Sequence, residues 1–181
     1  MKRFCRSFCN LLMCITIAIA CHAQAPKDPK EVSEKSKIET FSLKTGSLFK
    51  KEFWTLGTVK KVELKKLVIT DISTNQTLNG LRLQTIVTKS YGGDTKISFL
   101  DVDEVESFRK SAKYLLALAP SDAGTYIEME FTSRGGFRAG AFCEDNYWKY
   151  FIQLKRNDND SYVFLSKSEF QTLYDLVMSF K

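Results

Sequence analysis

The sequence predicts an α+β protein, a mostly antiparallel sheet with two amphipathic helices, on three observations. Apolar residues alternate with a period of two along most of the chain, which is the spacing of half-buried strands. Two segments switch to a period of three to four, the spacing of one helical face. Both switches follow the same sequence of strand, Phe-Leu and cap, 65 residues apart, which predicts two duplicated strand-rich units each ending in a helix.

Taken in order, residues 1–23 read as a secretory signal peptide. Lys2, Arg3 and Arg6 form its positive start, Leu11 to Ala20 its apolar stretch, and Cys21-His22-Ala23 a cleavage site ahead of Gln24. Ala18-Ile19-Ala20-Cys21 also resembles a lipobox, which gives lipid anchoring at Cys21 as the alternative to a secreted or periplasmic product. Residues 24–40 are rich in Pro and charge and poor in aromatics, so they are expected to form a flexible tether. The folded part is then expected to begin near Phe41 to Phe49, with a first half over 41–119 and a second over 120–181.

In the first half, Val62 and Leu64, then Leu67 and Ile69, alternate or nearly alternate with lysines. Leu81 and Leu83 follow the turn-like Asn79-Gly80, and Ile97 and Phe99 follow Tyr91-Gly92-Gly93-Asp94. In the second half, Ile127, Met129 and Phe131 face one way and Glu128 and Glu130 the other. Arg134-Gly135-Gly136, Glu144-Asp145-Asn146 and Asn157-Asp158-Asn159-Asp160 supply turns. Val102, Val105, Phe108, Ala112, Leu115 and Leu116 mark the first helix, opened by an Asp101 and Glu104 capping pair. Phe170, Leu173, Tyr174, Val177 and Phe180 mark the second, opened by the capping box Ser166-Lys167-Ser168-Glu169.

The junctions Ser98-Phe99-Leu100-Asp101 and Val163-Phe164-Leu165-Ser166 carry the internal repeat. A duplicated strand-rich unit ending in a helix resembles the layout of PUR and whirly-type nucleic-acid-binding folds, which implies a polyanion- or single-strand-binding module. A pleckstrin-homology-like barrel closed by the C-terminal helix is the second layout considered.

Removal of the leader would take the chain's only histidine and four of its five cysteines, leaving Cys143. Without imidazole, a Ser-His-Asp triad, a Cys-His pair and histidine metal sites are excluded from the processed chain, and one thiol builds neither a disulfide nor a thiolate cage. No catalytic residue, metal site or cofactor is therefore assigned. The formal charge of +6 includes three leader cations, so the processed chain carries +3, modest for a nucleic-acid binder.

Several groups remain as candidates. Glu128 and Glu130 share a strand face at ~7 Å, within the reach of a carboxylate-dependent hydrolase. The 157–160 run offers hard oxygens, but it reads as a turn. Lys60, Lys61, Lys65 and Lys66 form a basic ribbon, read as lysine protection of a strand edge. The strand Tyr147–Leu154 is apolar on both faces. If Trp148, Tyr150, Ile152 and Leu154 are core, then Tyr147, Lys149 and Phe151 form a ligand surface that Arg134, Arg138 and Phe53-Trp54 could join. The resulting expectation is an exported, non-catalytic binding or scaffolding domain for an unidentified ligand or protein partner. A covered, oligomeric sheet is the structural alternative.

Overall fold

In the computed structural model, residues 35–119 and 125–181 are described. The leader, the stretch 24–34 and residues 120–124 at the expected boundary between halves lie outside them. The elements run α1 (Lys37–Ser42), β1 (Phe49–Val59), β2 (Val62–Asp71), β3 (Thr77–Lys89), β4 (Gly92–Asp101) and α2 (Val102–Leu116). They continue with β5 (Ile127–Thr132), β6 (Arg138–Glu144), β7 (Tyr147–Gln153), a short 3₁₀ turn at Asn159–Ser161, β8 (Tyr162–Leu165) and α3 (Lys167–Ser179).

Two antiparallel sheets result, ordered β1-β2-β3-β4 and β5-β6-β7-β8, each followed by a long helix. The fold class expected from the periodicity is the one observed, and the N-caps Asp101 and Ser166 occupy equivalent junctions. The four-stranded sheets are separate, so the single-barrel alternative falls.

Both helices serve one core. Leu64, Leu83 and Leu100 from the first sheet meet Phe108 and Leu115 of α2, Ala141, Tyr150 and Ile152 of the second sheet, and Phe170 and Val177 of α3. Phe108 is enclosed by the rings of Phe131 and Phe137 at 5.2 and 5.5 Å. Helix α2 touches β3 and β4 of its own unit and β5 and β6 of the other, while α3 touches β7, β8 and β1. Arg109 of α2 also closes the end of α3, donating to the carbonyls of Val177 (2.9 Å) and Phe180. Its guanidinium thus adds a donor to the Val177 carbonyl, which otherwise accepts from the Phe180 N–H at 3.3 Å, and supplies one to the Phe180 carbonyl beyond the helix end.

The near-alternation in β2 has a structural cause. Val62 and Leu64 face the main core, whereas Leu67 and Ile69, an odd number of positions later, face the opposite side of the sheet. There they are covered by Ile38 and Phe41 of α1, with Phe49, Leu78 and Phe99 around them. The close approach requires Gly80: a Cβ there would lie 2.2 Å from Ile38 Cδ1 and 2.5 Å from the Leu100 carbonyl oxygen.

This packing moves the expected boundary of the folded domain. Residues 35–40 belong to it, because Ser36 and Ile38 are buried and α1 docks on the first sheet. The tether reading rested on average composition, which one buried isoleucine in a polar stretch does not shift.

The lysine ribbon is also corrected. Strand β2 is internal to its sheet, so Lys65 and Lys66 protect no edge. As sequence neighbours they point to opposite faces, Lys65 to Glu63 at 3.0 Å and Lys66 over the rings of Trp54 and Phe180. The Asn157–Asp160 turn instead joins the two units, with Asp158 on Lys96 (2.6 Å) and Asp160 on Lys89 (2.9 Å).

The tightest junction is at Asp101. Glu104 accepts from the Asp101 N–H at 3.0 Å, as the expected capping pair requires. The Asp101 carboxylate also reaches another helix, accepting from the N–H groups of Lys37 (2.8 Å) and Ile38 (3.1 Å) at the start of α1. Ser36 Oγ accepts from Glu39 N–H, so the first three amides of α1 are all satisfied. Arg134, in the β5–β6 turn, donates from Nη2 to Asp101 (2.9 Å) and Asp103 (2.8 Å), while its N–H donates to Glu104 at 2.6 Å.

Two outcomes are expected from this junction. Asp101→Ala strips partners from two amides and a guanidinium and should cost about 2–3 kcal/mol in denaturant unfolding, against about 1 kcal/mol for Ser166→Ala. Separately, Arg134 beside it holds the Asp103 carboxyl down at about 2, against 3.8 ordinarily. Because the folded pKa is the lower one, its stabilisation is present above about pH 4 and is lost as pH falls from about 4 towards 2. Stability measured across that window should fall less steeply in Asp103→Asn.

Candidate ligand surface

The second sheet has one face against the helices and one turned away. Cross-strand partners share a face, so the register places Glu128 and Glu130 of β5, Arg138, Gly140 and Phe142 of β6, Lys149, Phe151 and Gln153 of β7, and Tyr162 and Phe164 of β8 together on the outer one. Alternation along β7 sends Tyr150 and Ile152 into the core and the intervening residues outward. That division is the one expected from the sequence.

The centre of this face is aromatic. Gly140 opens a slot beneath the Phe151 ring: a Cβ there would lie 3.0 Å from two ring carbons and 2.4 Å from the Met129 carbonyl oxygen. Phe142 and Tyr162 flank that ring at centroid distances of 6.4 and 5.7 Å. Phe151 is consequently only 2% exposed, which corrects the expectation that it is an accessible contact residue. The exposed rings are its neighbours. Phe164 is 59% exposed and stacks on Tyr162 at 6.0 Å and 13°, while Tyr126 is 66% exposed and stacks on Phe142 at 6.2 Å.

Polar groups border the rings. Arg138 donates to Gln153 Oε1 and Tyr162 Oη, both at 3.0 Å, and pairs with Glu130. Glu130 beside it pushes the Arg138 pKa upward, so its charge is fixed. Glu128 accepts from Tyr126 Oη at 2.7 Å and Glu130 from Thr132 Oγ1 at 2.8 Å. Lys149 pairs with Glu144. Three carboxylates and two cations therefore border the rings.

Of the expected contact residues, Lys149, Phe151 and Arg138 come together here. Tyr147, paired with Glu144, lies on the same face at the start of β7, where it is exposed and also lines a hollow with Leu118, Trp148 and Lys167. Arg134 is not part of the face, because its guanidinium is held by Asp101 and Asp103. Phe53 and Trp54 lie on β1 of the first sheet and point to opposite sides, Phe53 under Arg82 and Trp54 under Lys66. Trp148 is half-buried, its Nε1–H donating to the Ala119 carbonyl at 2.6 Å. Cys143 is buried.

Sequence reasoning missed Tyr126, Phe142, Tyr162 and Phe164. The available signal was in β8, where Tyr162-Val163-Phe164-Leu165 is apolar at every position, the same two-faced pattern that singled out β7.

No protein-family profile, curated protein or solved structure matches this chain.

Phe151 and Phe164 adjoin on one face but differ in burial, so their substitutions should separate. Phe151→Ala is expected to cost about 3–5 kcal/mol by opening a cavity, and Phe164→Ala no more than about 0.5 kcal/mol, both read as shifts of the denaturation midpoint.

Proposed function

We propose that this chain is an exported, non-catalytic binding domain that holds its ligand on the outer face of β5–β8. The observation that carries the reading is the pair of exposed rings, Phe164 and Tyr126, resting on packed aromatics rather than standing alone. Scattered surface aromatics need no partner, but rings stacked on the half-buried Phe142 and Tyr162, which themselves flank the buried Phe151, offer rigid contact area at little entropic cost. Export is supported by the charged start, apolar stretch and small-residue site of residues 1–23.

The chemistry of the face favours a neutral or mixed-charge ligand over a polyanion. Glu128, Glu130 and Glu144 outnumber Arg138 and Lys149, and both cations are already paired. Glu128 and Glu130 have hydrogen-bond donors of their own, which argues against a free acid and base acting on one substrate.

The test is a binding screen of the full chain against oligosaccharides, peptides and oligonucleotides, with Phe164→Ala and Tyr126→Ala alongside. A ligand that binds the native protein, is lost in both variants and is indifferent to salt is the expected result. Affinity falling steeply with log salt would favour the polyanion reading instead. Turnover of the ligand would overturn the non-catalytic one.

A further inference from the structure

The four edge strands are not equivalent, and β4 carries Lys96, held between Asp94 and Asp158. Strand β1 carries Lys50 and Lys51 and breaks its register between Thr55 and Gly57, two devices that blunt an edge. Strand β8 has four residues, and Lys60 Nζ donates to its Phe164 carbonyl at 2.8 Å. Strand β5 carries neither a lysine nor a bulge, and its charged side chains are the two glutamates Glu128 and Glu130. Its six residues, IEMEFT, also contain no proline. Among the described residues nothing pairs with its outer side.

Beside this edge runs a cleft of about 350 Å³ between β5 and α2. Leu115, Met129 and Phe131 give it apolar walls, Lys110, Ser111 and Tyr114 border it from the helix, and Glu130 reaches its rim from the strand. A strand added to β5 would send alternate side chains into this cleft and the others to the outer face, beside Glu128 and Glu130. Among the described residues Arg138 is the one cation paired with these two carboxylates, whose other partners, Tyr126 Oη and Thr132 Oγ1, are neutral, so the pair keeps a net negative charge and the outward positions favour Lys or Arg. The same charges disfavour a second copy, because antiparallel pairing of two β5 edges about the strand centre sets carboxylate against carboxylate.

We infer that the β5 edge and its cleft form a docking site for an extended segment of a partner polypeptide in which apolar and basic residues alternate, added to the sheet as a fifth strand. This site adjoins the aromatic surface proposed above and shares Glu128 and Glu130 with its border, but the β5 edge and the cleft do not involve Phe164, so loss of one site leaves the other testable.

The probe is a fluorescent peptide of alternating lysine and valine, titrated into the full chain, with the glutamate–valine peptide as control. The protein is itself cationic at +6, so attraction of a polycation to net charge does not favour binding. Expected results are binding of the lysine peptide, slowed amide exchange across residues 127–132, and about tenfold weaker binding of the glutamate peptide. Ser111→Trp, which fills the cleft, should weaken binding by about tenfold. N-methylation of alternate peptide amides should do the same with the protein unaltered. Phe164→Ala should leave the affinity unchanged. Equal binding of both peptides, binding without protection of β5, sensitivity to Phe164→Ala, or no binding at about 1 mM peptide would each overturn the site.

Discussion

The carboxylate of Asp101 is the contact on which the arrangement of the other parts depends. Its side chain is buried, and it accepts from the two leading amides of α1 and from Arg134 in the β5–β6 turn. A six-residue helix does not persist by itself, since nucleation costs more than one turn of hydrogen bonds returns. Helix α1 exists because Asp101 and Ser36 satisfy its amides and because Ile38 and Phe41 have a sheet to cover. The same carboxylate sits where β4 becomes α2, so one acid joins the start of the domain, the end of the first unit and the first turn of the second.

The two units are alike in outline and unlike in what covers them. Both long helices are drawn into the shared core, where α2 and α3 also touch each other. Each sheet is thereby packed on its inner side and left to find its own outer cover. The first sheet has α1 over Leu67 and Ile69. On the second, among the described residues, the outer side is closed only by its own aromatic side chains, with Phe151 sealed by Gly140, Phe142 and Tyr162 and Phe164 left exposed. That asymmetry distinguishes the second unit, and it is the outer face left without a helix that is proposed above to hold a ligand.

Charge in this protein mostly fastens segments to one another. Arg134 ties the second unit to Asp101 and Asp103, and Lys96 and Lys89 tie the β3–β4 hairpin to Asp158 and Asp160. Lys60, Lys65 and Lys66 of the apparent basic ribbon, Asp158 and Asp160 of the apparent calcium turn, and Glu128 and Glu130 of the apparent acid–base pair find intramolecular partners. Partnered charges of this kind give register between segments more than they give net stability.

The sequence by itself determined the plan of two strand-rich units each ending in a helix, the starts of α2 and α3 and the two-faced character of β7, because these depend on local periodicity and on caps three residues apart, whereas the start of α1 is hidden in a stretch that reads as tether. It also confined imidazole to a single position, His22, since that follows from counting residues. The parity slip between Leu64 and Leu67 was visible as well, although its cause, a helix on the opposite face, was not. Only the tertiary structure decided that Arg134 is a clamp, that Phe151 is covered while Phe164 is not, and that β2 is internal whereas β5 is an open edge. Each of these depends on which strands become neighbours and on which glycine, here Gly140, lets a ring sink, and residues 10 to 60 positions apart leave no local trace of such meetings.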